Sequence, residues 1–338
     1  MNQRTRIKDI AERLGVSPAT VSRALSDTGL VAEPTLTRIR EVASELDYRP
    51  NVSARNLRTR RSRAVLMVVR DVGNPFYLEV MKGVEAAARE AGYAVLMGNT
   101  EGKAAREAGY FDMLRDGHAD GMILMTGSLP PGREPDRASR ADLPVVVALE
   151  MIEGSSLPHV QIDNEGAAAE AVAHLVALGH RRIAHIGGPA HEIMAKRRRA
   201  GYRRAMAEAG LPVPAGYEQH GGYLLRGGQE ACRRLFSLPV PPTAIFTAND
   251  EMAFGAIHEL RRLGRDVPAD VSVVGFDDIY LSEAFYPPLT TVSQPRARIG
   301  REAMTLLLGI LAGTGKPAGP VLMPTTLRIR ETTAAPRG

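Results

Sequence analysis

Apolar residues recur at helical spacing three times within the first 46 positions: Ile7, Ile10, Ala11 and Leu14, then Val21 and Leu25, then Ile39, Val42, Ala43 and Leu46. This pattern predicts three short amphipathic helices. Gly15 supplies a turn after the first. Ser17 is a good N-cap and Pro18 a good first helical residue for the second, and Pro34 opens a third that runs to about Leu46. Such a pair of helices on a tight turn is a helix-turn-helix, and burying Val21 and Leu25 leaves Pro18, Ala19, Ser22 and Arg23 facing outward.

From Ala64 the pattern changes to short aliphatic runs alternating with helical segments. Ala64–Val69, Ala94–Met97, Gly121–Met125 and Pro144–Ala148 read as buried parallel strands, with a helix at Tyr77–Ala91. A second series reads as strands Arg182–Ile186, Thr243–Thr247 and Val271–Gly275, with helices Glu165–Leu178, Arg198–Ala209 and Glu251–Leu263 between them. The expected fold is an all-α helix-turn-helix headpiece followed by an α/β core of two doubly wound parallel-sheet subdomains.

Charge sharpens this division. Residues 1–63 hold 13 Lys/Arg against 7 Asp/Glu, a net +6, whereas the rest holds 30 against 31, a net −1. The basicity is local, which places a polyanion-binding surface on the N-terminal part rather than over the whole chain. Between Pro50 and Arg63 lie Arg55, Arg58, Arg60, Arg61 and Arg63, with no acid and few large apolar residues. That stretch is expected to act as a hinge that orders only on meeting a partner. The domains expected are therefore a headpiece at 1–49, a hinge at 50–63 and a core at 64–338. Cys232 is the only cysteine, so no intrachain disulfide forms. No signal-peptide core opens the chain and no segment reaches the ~20 apolar residues of a membrane span, so a cytoplasmic protein without membrane contact is expected.

Ile7–Ala11, Val16–Arg23, Tyr48–Asn51 and Ala54–Leu57 resemble the headpiece of the lac/galactose repressor family, in order and spacing. His174–His180, Ala248–Asp250, Gly275–Asp277 and Pro287–Val292 resemble the family's core. The resemblance implies a periplasmic-binding-protein-like core in which the chain crosses between subdomains near Asp163, Thr290 and Met323. The subdomains would then span about 64–162 plus 292–322, and 163–289 plus 323–338.

For DNA, the resemblance places the second helix in the major groove with Pro18, Ala19 and Arg23 facing base edges. Arg23 suits direct readout because a guanidinium can bond both O6 and N7 of guanine, whereas Pro18 and Ala19 offer apolar contact only. Ser17, Thr20 and Ser22 are candidates for phosphate contact or helix capping. Arg6 stands where the family usually has a threonine, and a backbone phosphate contact is expected from it. Asn51, Ala54, Arg55 and Arg58 belong to the hinge surface, and Leu57 matches the leucine that the family wedges into the minor groove at the operator centre. A palindromic operator read this way implies a homodimer.

For an effector, the resemblance singles out Arg198, Asn249, Asp277 and Gln294, whose fork, amides and carboxylate suit vicinal hydroxyls. Phe76, Tyr77 and Tyr223 supply flat apolar faces, Met194 lies nearby, and Asp163 and Asp250 are second-rank candidates that could equally cap the following helices. The pattern around Asn74–Tyr77 and Ser293–Arg296 is closest to the nucleoside (cytidine) branch of the family. Glu192 and Met194 differ from the arginine and threonine of the purine-responsive branch.

Enzyme and metal signatures fail. Gly313–Lys316 lacks the first glycine of a phosphate loop, neither His258 nor His191 has the second histidine of a zinc helix, and there is no G-x-S-x-G elbow. No cofactor is expected. The function expected is a ligand-responsive, sequence-specific transcriptional regulator, most simply a repressor of nucleoside or sugar metabolism genes. The alternative is a soluble sugar- or nucleoside-binding protein, or an enzyme on the same scaffold, with no DNA role. The sign of the effector's action is left open.

Overall fold

The computed structural model describes residues 5–25, 30–48, 61–129, 143–152, 154–314 and 319–337. Contacts divide the chain into a unit of Met1–Ser62 and a unit of Arg63–Gly338.

The first unit is built of α1 (Ile7–Leu14), α2 (Pro18–Leu25) and α3 (Glu33–Glu45). The Asp9 carboxylate accepts the Arg6 backbone N–H at 2.7 Å, closing the N-terminus of α1, and Gly15 ends that helix at φ 66°. A small core of Ile10, Ala11, Val21, Ala24, Ile39 and Ala43 ties the three together.

The second unit holds two six-stranded sheets. The first is ordered β11-β5-β4-β3-β1-β2, from β1 (Ala64–Val69), β2 (Ala94–Asn99), β3 (Gly121–Met125), β4 (Val145–Ala148), β5 (His159–Ile162) and β11 (Val321–Met323). The second is ordered β12-β10-β9-β8-β6-β7, from β6 (Ile183–Gly187), β7 (Glu218–His220), β8 (Ala244–Thr247), β9 (Ser272–Asp277), β10 (Thr290–Ser293) and β12 (Thr326–Arg328). All strand pairings are parallel except β10 with β12, which are antiparallel. Helices α4 (Phe76–Glu90), α5 (Ala104–Arg115) and α11 (Arg296–Ala312) accompany the first sheet. With the second go α6 (Asn164–Ala177), α7 (Ile193–Glu208), α8 (Leu225–Phe236), α9 (Asp250–Arg262) and the short α10 (Leu281–Ala284).

Central strands read as continuous apolar runs because both faces are covered. β1, β3 and β4 are buried throughout, as are β8 and β9. Helix α11 crosses α4 with almost no side-chain thickness between them: a Cβ on Gly300 would lie 2.0 Å from the Val80 carbonyl oxygen, and one on Gly83 would lie 1.9 Å from that of Ala297. Cys232 is fully buried on α8, and burial pushes its thiol up to about 12, so it behaves as a small apolar residue.

Three expectations need correction. The strand at Ala94–Met97 is not buried: β2 is an edge strand, with Leu96 and Met97 each more than a third exposed. Helix α7 begins at Ile193 rather than Arg198, since Ile193–Arg197 continue the helix that the run of cations obscured. The boundary expected at 292 falls after Ser293, because β10 stays parallel with β9 through the pair Ser293↔Asp277 before the chain crosses back. Crossings therefore follow Ile162, Ser293 and Met323.

Candidate functional site

Two surfaces carry the expected chemistry, one in each unit. In the first, the Ser17 hydroxyl accepts the Thr20 N–H at 3.0 Å, so Ser17 caps α2. Its oxygen also meets the Thr20 hydroxyl at 2.8 Å, which engages both groups in the helix start. Val21 and Ala24 face inward, Pro18, Ala19 and Arg23 are exposed, and Ser22 is partly covered. The Arg23 Nε donates to the Ala19 carbonyl at 3.2 Å, laying the guanidinium along the exposed face of α2. Arg6 is exposed at the start of α1. Asn51, Ala54, Arg55, Leu57 and Arg58 lie outside the described residues.

In the second unit a cavity of about 510 Å³ opens between the two sheets, at the carboxyl ends of their strands, where ligands bind in open α/β folds. Eight of the ten expected effector residues line it: Phe76 and Tyr77 at the start of α4, Met194 and Arg198 on α7, Tyr223 after β7, and Asn249, Asp277 and Gln294 at the ends of β8, β9 and β10. The other two do not. Asp163 is exposed and accepts the Gly166 N–H at 2.9 Å, capping α6. Asp250 is buried beneath the cavity, where it accepts the Ile279 N–H at 2.9 Å and the hydroxyls of Ser282 at 2.7 Å and Thr291 at 2.6 Å. Its donors come from two segments, residues 279–282 and β10, which it ties to the start of α9.

Arg198 is held more tightly than its place in a run of cations suggests. Its guanidinium lies 3.8 Å over the Phe276 ring, donates from Nε to Asn164 at 2.9 Å and from Nη1 to the Ala248 carbonyl, and stands 3.5 Å from the Asp277 carboxylate. Asn249 is also occupied: its oxygen accepts the Met252 N–H at 3.0 Å, capping α9, and its nitrogen donates to the Tyr223 carbonyl at 3.1 Å. These residues build the wall as much as they present it. Gln294 donates to Asp277 at 2.7 Å, which leaves its own carbonyl oxygen buried without a partner.

The sequence reading missed eight polar residues of the cavity: Arg70, Asp71, Asn99, Glu101, Glu150, Glu251 and, as contributors, Asn74 and Glu192. Arg70 and Asp71 directly follow β1, Asn99 ends β2 and Glu150 lies two residues after β4, so the strand-end rule applied to the first sheet would have found them. Arg70 forms an ion pair with Glu192 from the opposite subdomain and stands 3.9 Å from Glu150. These three also wall a neighbouring cavity of about 440 Å³.

Burial sets the protonation of this wall. It lifts the Glu150 carboxyl to about 7, with Arg70 opposing and Glu192 adding to the rise. It lifts Asp277 to about 6 against the pull of Arg198 and Arg296, and Asp250 to about 7 with Asp277 adding to the effect. The phenols of Tyr77 and Tyr223 are raised by the same cause and stay neutral donors. Burial alone would lower the Arg70 guanidinium, but its hydrogen bond to Glu192 and the charges of Glu192 and Glu150 hold it above its ordinary value.

The comparisons agree with this two-part layout. Residues 6–51 match the family model described as bacterial regulatory proteins, lacI family, and residues 172–333 match the periplasmic binding protein-like domain. The chain is 39% identical to the HTH-type transcriptional repressor CytR of Escherichia coli strain K12, over 97% of this chain and 96% of that one. It is 36% identical to the ribose operon repressor of the same organism, over 89% of this chain and 92% of that one. Among solved structures, the lac repressor dimer bound to operator and the anti-inducer ONPF superposes with a TM-score of 0.86 at 27% identity, covering 98% of this chain and all of that one. No helix among the described residues is long and apolar enough to cross a membrane.

Proposed function

The chain belongs to the lacI family of bacterial regulatory proteins, and from that membership we propose that it is a repressor of nucleoside or sugar metabolism genes, acting in the cytoplasm as a homodimer on palindromic operator DNA. It is a ligand-responsive DNA-binding regulator and not an enzyme. The observation that carries this reading is likeness to repressors along almost the whole chain, so that the headpiece and the core come as one inherited arrangement.

The exposed Pro18, Ala19 and Arg23 on α2 read base edges, with Ser17, Thr20, Ser22 and Arg6 toward the backbone. On the hinge, Leu57 enters the minor groove, with Asn51, Ala54, Arg55 and Arg58 beside it on the hinge surface. The cavity between the sheets holds the effector: Phe76, Tyr77 and Tyr223 are its flat walls, Met194 its apolar side, and Arg198, Asn249, Asp277 and Gln294 its polar frame. Because the lining comes from both subdomains, effector binding favours one arrangement of them, and the hinge at residues 50–63 carries that choice to the operator. A tenfold change in operator occupancy requires only about 1.4 kcal/mol of differential binding.

Fluorescence anisotropy on a labelled palindromic duplex tests this. Binding that falls steeply with salt and shifts on adding one nucleoside or pentose supports it. Retention of DNA binding after removal of residues 1–62 would overturn it.

A further inference from the structure

We propose that the cavity between the sheets admits an uncharged or cationic ligand rich in hydrogen-bond donors and rejects the phosphate ester of the same ligand. This rests on the assignment of the cavity as the effector site and adds a charge rule to it.

Six carboxyl groups line the cavity, those of Asp71, Glu101, Glu150, Glu192, Glu251 and Asp277, against the two guanidinium groups of Arg70 and Arg198. No lysine lines it. Neither guanidinium is spare. Arg70 is taken by Glu192, with Glu150 3.9 Å away, and also donates to the Thr126 carbonyl at 3.3 Å. Arg198 is taken by Asn164, the Ala248 carbonyl and Asp277. Lys103 and Arg106 neutralise Glu101 from outside, but neither reaches the lining.

Backbone donors are the other common anchor for phosphate, and two at the cavity's helix starts are occupied. The Phe76 N–H opening α4 is bound by the Asn74 side chain at 2.9 Å, and the Met252 N–H in the first turn of α9 by Asn249 at 3.0 Å. At α7 the N-cap residue is Glu192, whose side chain turns to Arg70 rather than capping the helix but whose charge still opposes an anion near that helix start. Meanwhile three residues that line this cavity each carry a buried acceptor with no donor: Asn99 Oδ1, Glu192 Oε2 and Gln294 Oε1. Gln294 is 4% exposed, and the donation of its nitrogen to Asp277 fixes which end of its amide is the acceptor. Hydroxyls and amino groups satisfy such atoms, whereas a phosphate group brings more acceptors and two negative charges into a space already short of cations.

A kinase that phosphorylates the ligand extinguishes the signal, and a phosphatase or nucleotidase that releases it restores the signal.

Isothermal titration of the full-length protein with three matched pairs tests the rule: cytidine and cytidine 5′-monophosphate, adenosine and adenosine 5′-monophosphate, ribose and ribose 5-phosphate. At least one unphosphorylated member should bind, with its ester weaker by about tenfold or more. Glu192→Gln, which releases Arg70, should narrow that ratio severalfold, and Asp71→Asn should narrow it at a second point if the first variant folds poorly. An ester that binds as tightly as its parent sinks the charge rule alone. Absence of any binding, in protein that still holds DNA, sinks the nucleoside-or-sugar reading and the rule with it.

Discussion

Gly188 lies against the ring of Tyr223 so closely that a Cβ added to it would stand 2.3 Å from the phenol carbon bearing the hydroxyl. The ring is a wall of the cavity between the sheets, and Tyr223 is itself held at φ 63°. Gly188→Ala therefore turns the ring toward the ligand. Effector affinity, read by titration calorimetry, should fall by about tenfold or more, while operator binding without effector stays near wild type. Unchanged effector affinity would show that the ring does not border the ligand.

Arg23→Ala removes the only charged side chain on the exposed face of α2. Operator affinity should drop by roughly 1–3 kcal/mol, with discrimination lost at one base pair in each half-site. A panel of single-base-pair operator variants separates this from loss of a phosphate contact, which would weaken all sequences alike.

Stability of the core should fall as pH rises from about 6.5 to 8. Asp250 and Glu150 titrate near 7 in the folded protein and well below that unfolded, so the folded state binds more protons in this window and loses its advantage as they leave. Each contributes a decline of about 1 kcal/mol. His185, lowered to about 4 by burial, and His174 and His180, lowered by the same cause, act oppositely, mostly below about 6.5, where the unfolded chain gains their protons. Urea midpoints at the two pH values measure the decline, and Asp250→Asn should remove about half of it. A midpoint that rises with pH over this range would contradict the assignment.

Gly300→Ala and Gly83→Ala should each destabilise the core by about 1–3 kcal/mol, because the added methyl meets a backbone carbonyl that cannot swing aside. Thermal unfolding detects this, and operator binding at low temperature should survive it.

Much of this arrangement was legible because it rests on local rules. Ser17–Pro18 marked the start of α2, and the aliphatic runs at Ala64–Val69 and Gly121–Met125 marked buried strands to the residue. Long-range geometry was not. Nothing local to Leu96 and Met97 shows that β2 lies at a sheet edge. Glu192 differed from a family pattern, but its pairing with Arg70 spans 122 positions and follows only from the two sheets facing each other. Asp250 and Asn249 are adjacent in sequence, yet one lies beneath the cavity and the other lines it. That distinction depends on which donors from residues 279–291 come to meet Asp250.

The three crossings of the chain between the sheets also govern how the molecule is made. The first sheet receives β11, and α4 receives its partner α11, from residues 296–323. On the ribosome, the half that is synthesised earlier must therefore wait, with α4 and the face of β5 uncovered, until nearly all the polypeptide has emerged. A nascent chain stalled before Arg296 exposes that apolar surface to chaperones and proteases, whereas the later half already has every strand but β12.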